Sequence, residues 1–97
     1  MRVFAKKILG EFWEKHPDCE QQLKAWFQEA SQAEWQNNNV LKSKYPLASL
    51  LADYKIVFNI KGNHYRLIMK MNYDYQMIRI RFIGTFAAYD KIDANKI

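Results

Sequence analysis

The sequence predicts an α+β fold in which two N-terminal helices pack on a twisted antiparallel sheet, and three observations predict it. Apolar residues recur at helical spacing up to about residue 33, then switch to strict alternation after residue 53. Short polar stretches with turn chemistry separate the alternating runs. Hydrophobic residues make up 49% and aromatics 15% of 97 residues, which is enough for one packed core. It leaves no room for a second module, so one domain is expected to span residues 1–97.

The elements follow in order. Val3 and Phe4 suggest a short first strand over residues 2–5. From about Ala5 to Lys15, Ile8, Leu9, Phe12 and Trp13 line one stripe, with Lys6, Lys7, Glu11 and Glu14 outside it. His16-Pro17 ends that helix, because proline disfavours the helical conformation in the residue before it. Pro17 then suits the first position of a second helix, whose N-terminal dipole Asp18 and Glu20 complement. Cys19, Leu23, Trp26, Phe27, Ala30 and Ala33 carry that helix to about Ala33. After the polar break at Gln36-Asn37-Asn38-Asn39, Asn39 is placed to cap a single helical turn through Lys44, which Tyr45-Pro46 closes.

Beyond this point the period is two. Leu47 to Leu51 offers a short strand before a meander of three main strands. In the first, Tyr54, Ile56, Phe58 and Ile60 alternate with Lys55, Val57 and Asn59, and Lys61-Gly62-Asn63 supplies a turn. In the second, Tyr65, Leu67, Met69 and Met71 alternate with Arg66, Ile68, Lys70 and Asn72, before a turn at Asn72-Tyr73-Asp74. In the third, Ile78, Ile80 and Phe82 alternate with Met77, Arg79, Arg81 and Ile83. If the helices cover the apolar set, Arg66, Lys70, Arg79 and Arg81 converge on the other face. Asp74, Asp90 and Asp93 are the acids placed to pair with them.

Several function classes drop out. No apolar run is long enough to span a membrane, and the N-terminus lacks the apolar stretch of a secretory signal. The lone Cys19 forms no internal disulfide and fits a cytoplasmic protein. One cysteine and two histidines, His16 and His64, fall short of a closed zinc site, so no metal or other cofactor is expected. The net charge is +5, and all of it lies in residues 54–97, since residues 1–53 balance seven basic against seven acidic side chains. Such asymmetry suits a polyanion partner, and guanidinium groups clamp phosphate bidentately.

Residues 57–63 (Val-Phe-Asn-Ile-Lys-Gly-Asn), Tyr65-Arg66-Leu67-Ile68, residues 80–85 (Ile-Arg-Phe-Ile-Gly-Thr) and Tyr89-Asp90-Lys91-Ile92-Asp93 resemble HigB-type toxins of the RelE/ParE superfamily. Ala5-Lys6-Lys7 and the stretch from Phe12 to Asp18 fit as well, so the resemblance covers nearly the whole chain. It implies a RelE-like fold and an mRNA interferase of a type II toxin–antitoxin system, an endoribonuclease acting at the translating ribosome. It also implies a helix-turn-helix antitoxin of HigA type as partner, with DNA contacted only through the antitoxin complex and no membrane association.

In RNA cleavage without metal, the ribose 2′-OH attacks the neighbouring phosphorus and leaves a cyclic phosphate and a free 5′-OH. A base, a cationic clamp and an acid are required. Arg66, Arg79 and Arg81 suit the clamp, and Arg66, Arg81, Tyr89 and Asp90 are the candidate catalytic groups. Lys61, Asn63, His64, Lys70, Arg79 and Lys91 are candidate RNA contacts, with His64 able to change charge near neutral pH. One position departs from the family pattern. Where such toxins read Gly-Thr-His-Ala-Glu-Tyr-Asp, this chain has Phe86 for the histidine and Ala88 for the glutamate, whether by natural variation or by introduction. Loss of a general acid or base lowers a rate by about 10²–10⁴, so weakened or lost cleavage is the expectation. A non-catalytic RNA- or antitoxin-binding module, and a gyrase-directed toxin of the same superfamily, are the alternatives.

Overall fold

A computed structural model describes residues 1–97. The elements run β1 (Arg2–Phe4), α1 (Lys6–Lys15), a 3-10 turn at Pro17–Cys19, α2 (Glu20–Gln32), α3 (Asn38–Lys44), β2 (Ser49–Leu50), β3 (Lys55–Ile60), β4 (Tyr65–Asn72), β5 (Met77–Thr85) and α4 (Phe86–Asp90). The strands form one sheet in the order β1-β5-β4-β3-β2. The expected α+β architecture is present, with β3, β4 and β5 as an antiparallel meander. β2 extends the β3 edge antiparallel, whereas β1 joins the opposite edge parallel to β5, Arg2 opposite Met77 and Phe4 opposite Arg79. Local periodicity is the same for both pairing directions, which is why the sequence left this one unspecified.

One face of the sheet carries the core. Leu9 of α1, Leu23, Trp26 and Ala30 of α2, and Leu41 of α3 pack against Ile56, Phe58, Leu67, Met69, Met71, Ile78 and Ile80. The bend at His16 matches the proline rule, with the His16 N–H donating to the Phe12 carbonyl at 2.9 Å. The cap of α3 is Asn37 rather than Asn39: Asn37 Oδ1 accepts from the Val40 N–H at 2.9 Å, so the helix starts earlier and is longer than the single turn expected. The oxygen must lie three residues ahead of the donor, and several adjacent asparagines left that choice open in sequence.

The alternation along β5 is broken. Ile68 faces Phe82 while Met69 faces Ile80, so Arg81 is an extra, bulged residue. Beyond it the phase reverses. Ile83 rather than Phe82 packs toward the helices, contrary to the expected placement of Phe82 with Ile78 and Ile80. Phe82 instead lies on the far face, 6.5 Å from the Tyr89 ring. There Gly84 accommodates it, since a Cβ at residue 84 would sit 2.5 Å from the tip of the Phe82 ring.

The far face is itself partly roofed. Val57 and Ile68 are buried although they point away from the helices. α4 packs across β4 and β5 there. The C-terminal segment lies over β3, with Lys55 Nζ donating to the Asn95 carbonyl at 2.7 Å. No helix is long and apolar enough to cross a membrane.

Candidate functional site

Arg66 is the unusual cation. It sits on β4 opposite Gly84, only 9% exposed, and belongs to none of the ion pairs of the molecule. Nη1 donates to the carbonyls of Asn63 at 3.0 Å and Tyr65 at 3.2 Å. Its guanidinium carbon lies 4.8 Å from the Phe86 ring centroid and 5.8 Å from that of Tyr89. Buried charges are ordinarily paired with an opposite charge. Here two aromatic faces and two carbonyls take that role, so the positive potential is conserved rather than cancelled.

Beside Arg66 opens a cavity of about 520 Å³ lined by His16, Asn63, His64, Tyr65, Thr85, Phe86 and Ala87. The local folding explains the gathering. The Lys61–His64 turn, with Lys61 and Gly62 both at positive φ, brings His64 to the start of α4, whose Phe86 N–H donates to the His64 carbonyl at 2.9 Å. Thr85 Oγ1 caps α4 by accepting from the Ala88 N–H. Across the cavity, the bend after α1 supplies His16, stacked on Phe12 with ring centroids 4.3 Å apart. Tyr65 forms the floor and donates its hydroxyl to Asp18 Oδ1 at 2.7 Å. That hydrogen bond, with burial, pushes the Tyr65 phenol up to about 12.

The other expected site residues fall elsewhere. Lys70, Arg79 and Arg81 line a second cavity of about 250 Å³ with Met71, Asn72 and Met77. Arg66 and Lys70 share a face but stand four residues apart, roughly 13 Å along the strand, with buried Ile68 between them. The four cations thus form two groups rather than one. Lys70 is paired, at 2.8 Å, with Asp53 and not with Asp74, Asp90 or Asp93. Arg79 lies over the Phe4 ring at 5.9 Å, where Arg2 also stacks at 5.2 Å. Tyr89 is half-buried against Arg66, whereas Asp90 and Lys91 at the end of α4 are exposed, as is Lys61.

With this geometry in hand, one comparison decides the family. A family model described as HigB_toxin, the RelE-like toxic component of a toxin–antitoxin system, matches residues 19–92. The chain belongs to the HigB toxin family. No curated protein matches it. As a HigB-family chain it is the toxin of a toxin–antitoxin pair, and its partner is the antitoxin. The matched stretch contains Arg66, both walls of the second cavity and α4. His16 precedes it, at the joint between the first two helices.

Three lining residues went unassigned in sequence. His16 enters the sequence reading as a helix break and a rejected zinc ligand, Tyr65 as one of the alternating residues of its strand, and Thr85 only within the family-like block, none with a site role. Asp53, which neutralises Lys70, also gave no signal. The pattern of a capping threonine three residues ahead of Ala88 was legible; the approach of His16 to a hairpin some fifty residues away was not.

Proposed function

We propose that this HigB-family toxin is an endoribonuclease that cleaves mRNA at the translating ribosome and is held inactive by a helix-turn-helix antitoxin of HigA type. The carrying observation is Arg66, a buried guanidinium with no carboxylate partner, set behind a cavity that also holds both histidines of the chain. In the reaction, Arg66 would stabilise charge on the phosphoryl oxygens, the largest electrostatic demand of 2′-OH attack. Phe86 is 47% exposed at the cavity, and Phe86 and Tyr89 offer ring faces on which bases can stack. The second cavity, with Lys70, Arg79 and Arg81, suits the flanking phosphates of the same strand; Asn63 and His64 line the first, and the exposed Lys61 and Lys91 are further cations available to the strand. Asp90 lies at the α4 end, free to orient a substrate hydroxyl.

Inducing the chain in cells and mapping 5′ ends of mRNA tests this reading. Expected are growth arrest and fragments bearing a 5′-OH, lost in Arg66→Ala and increased in Phe86→His. If neither the chain nor Phe86→His yields fragments while both remain folded, the nuclease reading fails. Tight RNA binding without fragments would then leave an RNA-binding module.

A further inference from the structure

The cavity beside Arg66 has to move protons if it cleaves RNA, and most of its wall is inert for that purpose. Asn63, Thr85, Phe86 and Ala87 do not titrate, and Tyr65 is committed to Asp18. The imidazoles remain. We propose that His16 is a catalytic residue of RNA cleavage, working as an acid–base pair with His64, which lines the same cavity beside Tyr65. This inference rests on the nuclease reading and adds to it the group that transfers the proton.

The geometry carries it. The ring centroids of His16 and His64 lie 5.2 and 6.1 Å from that of Tyr65, so both line one cavity although 48 residues separate them in sequence. His16 is held: its ring stacks on Phe12, and its backbone is fixed by the Phe12 carbonyl on one side and Pro17 on the other. A fixed, half-buried imidazole at a cavity wall is preorganised for a directed transfer, whereas the exposed His64 on its turn can follow the substrate. Imidazole is the side chain most often used for general acid–base transfer, and two of them in one cavity supply both an acceptor and a donor.

The step balances without a further reactant. The neutral imidazole takes the 2′-OH proton as the 2′ oxygen forms its bond to phosphorus. The bond from phosphorus to the 5′ oxygen breaks, and the imidazolium gives its proton to that oxygen. Arg66, behind Phe86, adds positive potential for the charge on the non-bridging oxygens. The titratable and charged groups around His16 are Tyr65 and, through it, Asp18; Cys19, whose Sγ donates to the His16 carbonyl at 3.2 Å; His64, also beside the Tyr65 ring; and Arg66 behind Phe86.

The test follows cleavage of a short RNA with one scissile linkage across pH, and binding of its 2′-deoxy analogue, for the chain, His16→Ala and His16→Gln. A bell-shaped profile is expected for the chain. Both variants should lose about 10²–10⁴ in rate, flatten one limb of the bell and bind the analogue as before, and added imidazole should restore part of the His16→Ala rate. A folded His16→Gln that keeps rate and bell shape overturns the inference and leaves the nuclease reading standing. A chain that binds the analogue but cleaves neither the free RNA nor mRNA on translating ribosomes overturns both.

Discussion

The Arg66 guanidinium lies 4.8 Å from the Phe86 ring centroid, an aromatic contact where a buried cation would ordinarily meet a carboxylate. The contact fixes the guanidinium plane while leaving its charge uncancelled, which an anion clamp requires. Arg66→Lys keeps the charge but loses the planar fork. Lysine cannot clamp a phosphate bidentately, so RNA affinity should drop about tenfold with the fold intact. Fluorescence anisotropy with a 2′-deoxy oligonucleotide reads this directly, and equal affinity would remove Arg66 from the clamp.

Gly84 is required by Phe82. The glycine lets the Phe82 ring cross the strand and reach Tyr89 after the Arg81 bulge. Gly84→Ala forces the rigid ring aside, at a cost of about 1–3 kcal/mol. Urea unfolding should show a lowered midpoint at unchanged slope; a neutral result would mean that the ring has another position available.

Asn37 and Asn39 differ in role although they look alike in sequence. Asn37→Ala removes the Oδ1 that accepts from Val40 and should cost about 1 kcal/mol. Asn39→Ala should be near neutral. Thermal unfolding of the two variants distinguishes them, and the reverse order would place the cap where the sequence first suggested.

Alkaline pH should weaken the fold through its phenols. Tyr65, mainly by its bond to Asp18, and Tyr73, mainly by burial, are each pushed up to about 12 from 10.0. Groups with a raised folded pKa stabilise while protonated, so their contribution is intact below pH 10 and is lost as pH climbs toward 12. Phenolate absorbance should show late-titrating tyrosines, with one fewer in Asp18→Asn. Titration of every phenol at its ordinary value, with no fall in stability, contradicts this.

Lys70 is tethered by Asp53, whose carboxyl the ammonium holds below the usual range. The pair is exposed and adds little to stability. Asp53→Asn should therefore leave the melting temperature nearly unchanged while freeing Lys70 for phosphate. RNA affinity should rise, and its log–log dependence on salt should steepen by about 0.7. An unchanged slope would take the second cavity off the RNA path.

The sequence by itself determined the elements and their faces. Leu9, Leu23 and Trp26 at helical spacing, and Ile56, Leu67 and Met69 at a period of two, can bury their apolar sides in only one way, and the helix-backed sheet follows. Family membership was legible too, in the blocks around residues 57–68 and 80–93. What the tertiary structure decided lies wherever non-local pairing sets the geometry. The extra residue Arg81 turns Phe82 to the far face, Asp53 folds back to claim Lys70, and the cations divide into two groups. His16 and His64 both reach Tyr65 only because the joint between the first helices packs against the end of the β3–β4 hairpin. Periodicity fixes which side of its own element a residue faces; which partner it meets depends on register and packing between segments far apart in the chain, and no local pattern encodes those.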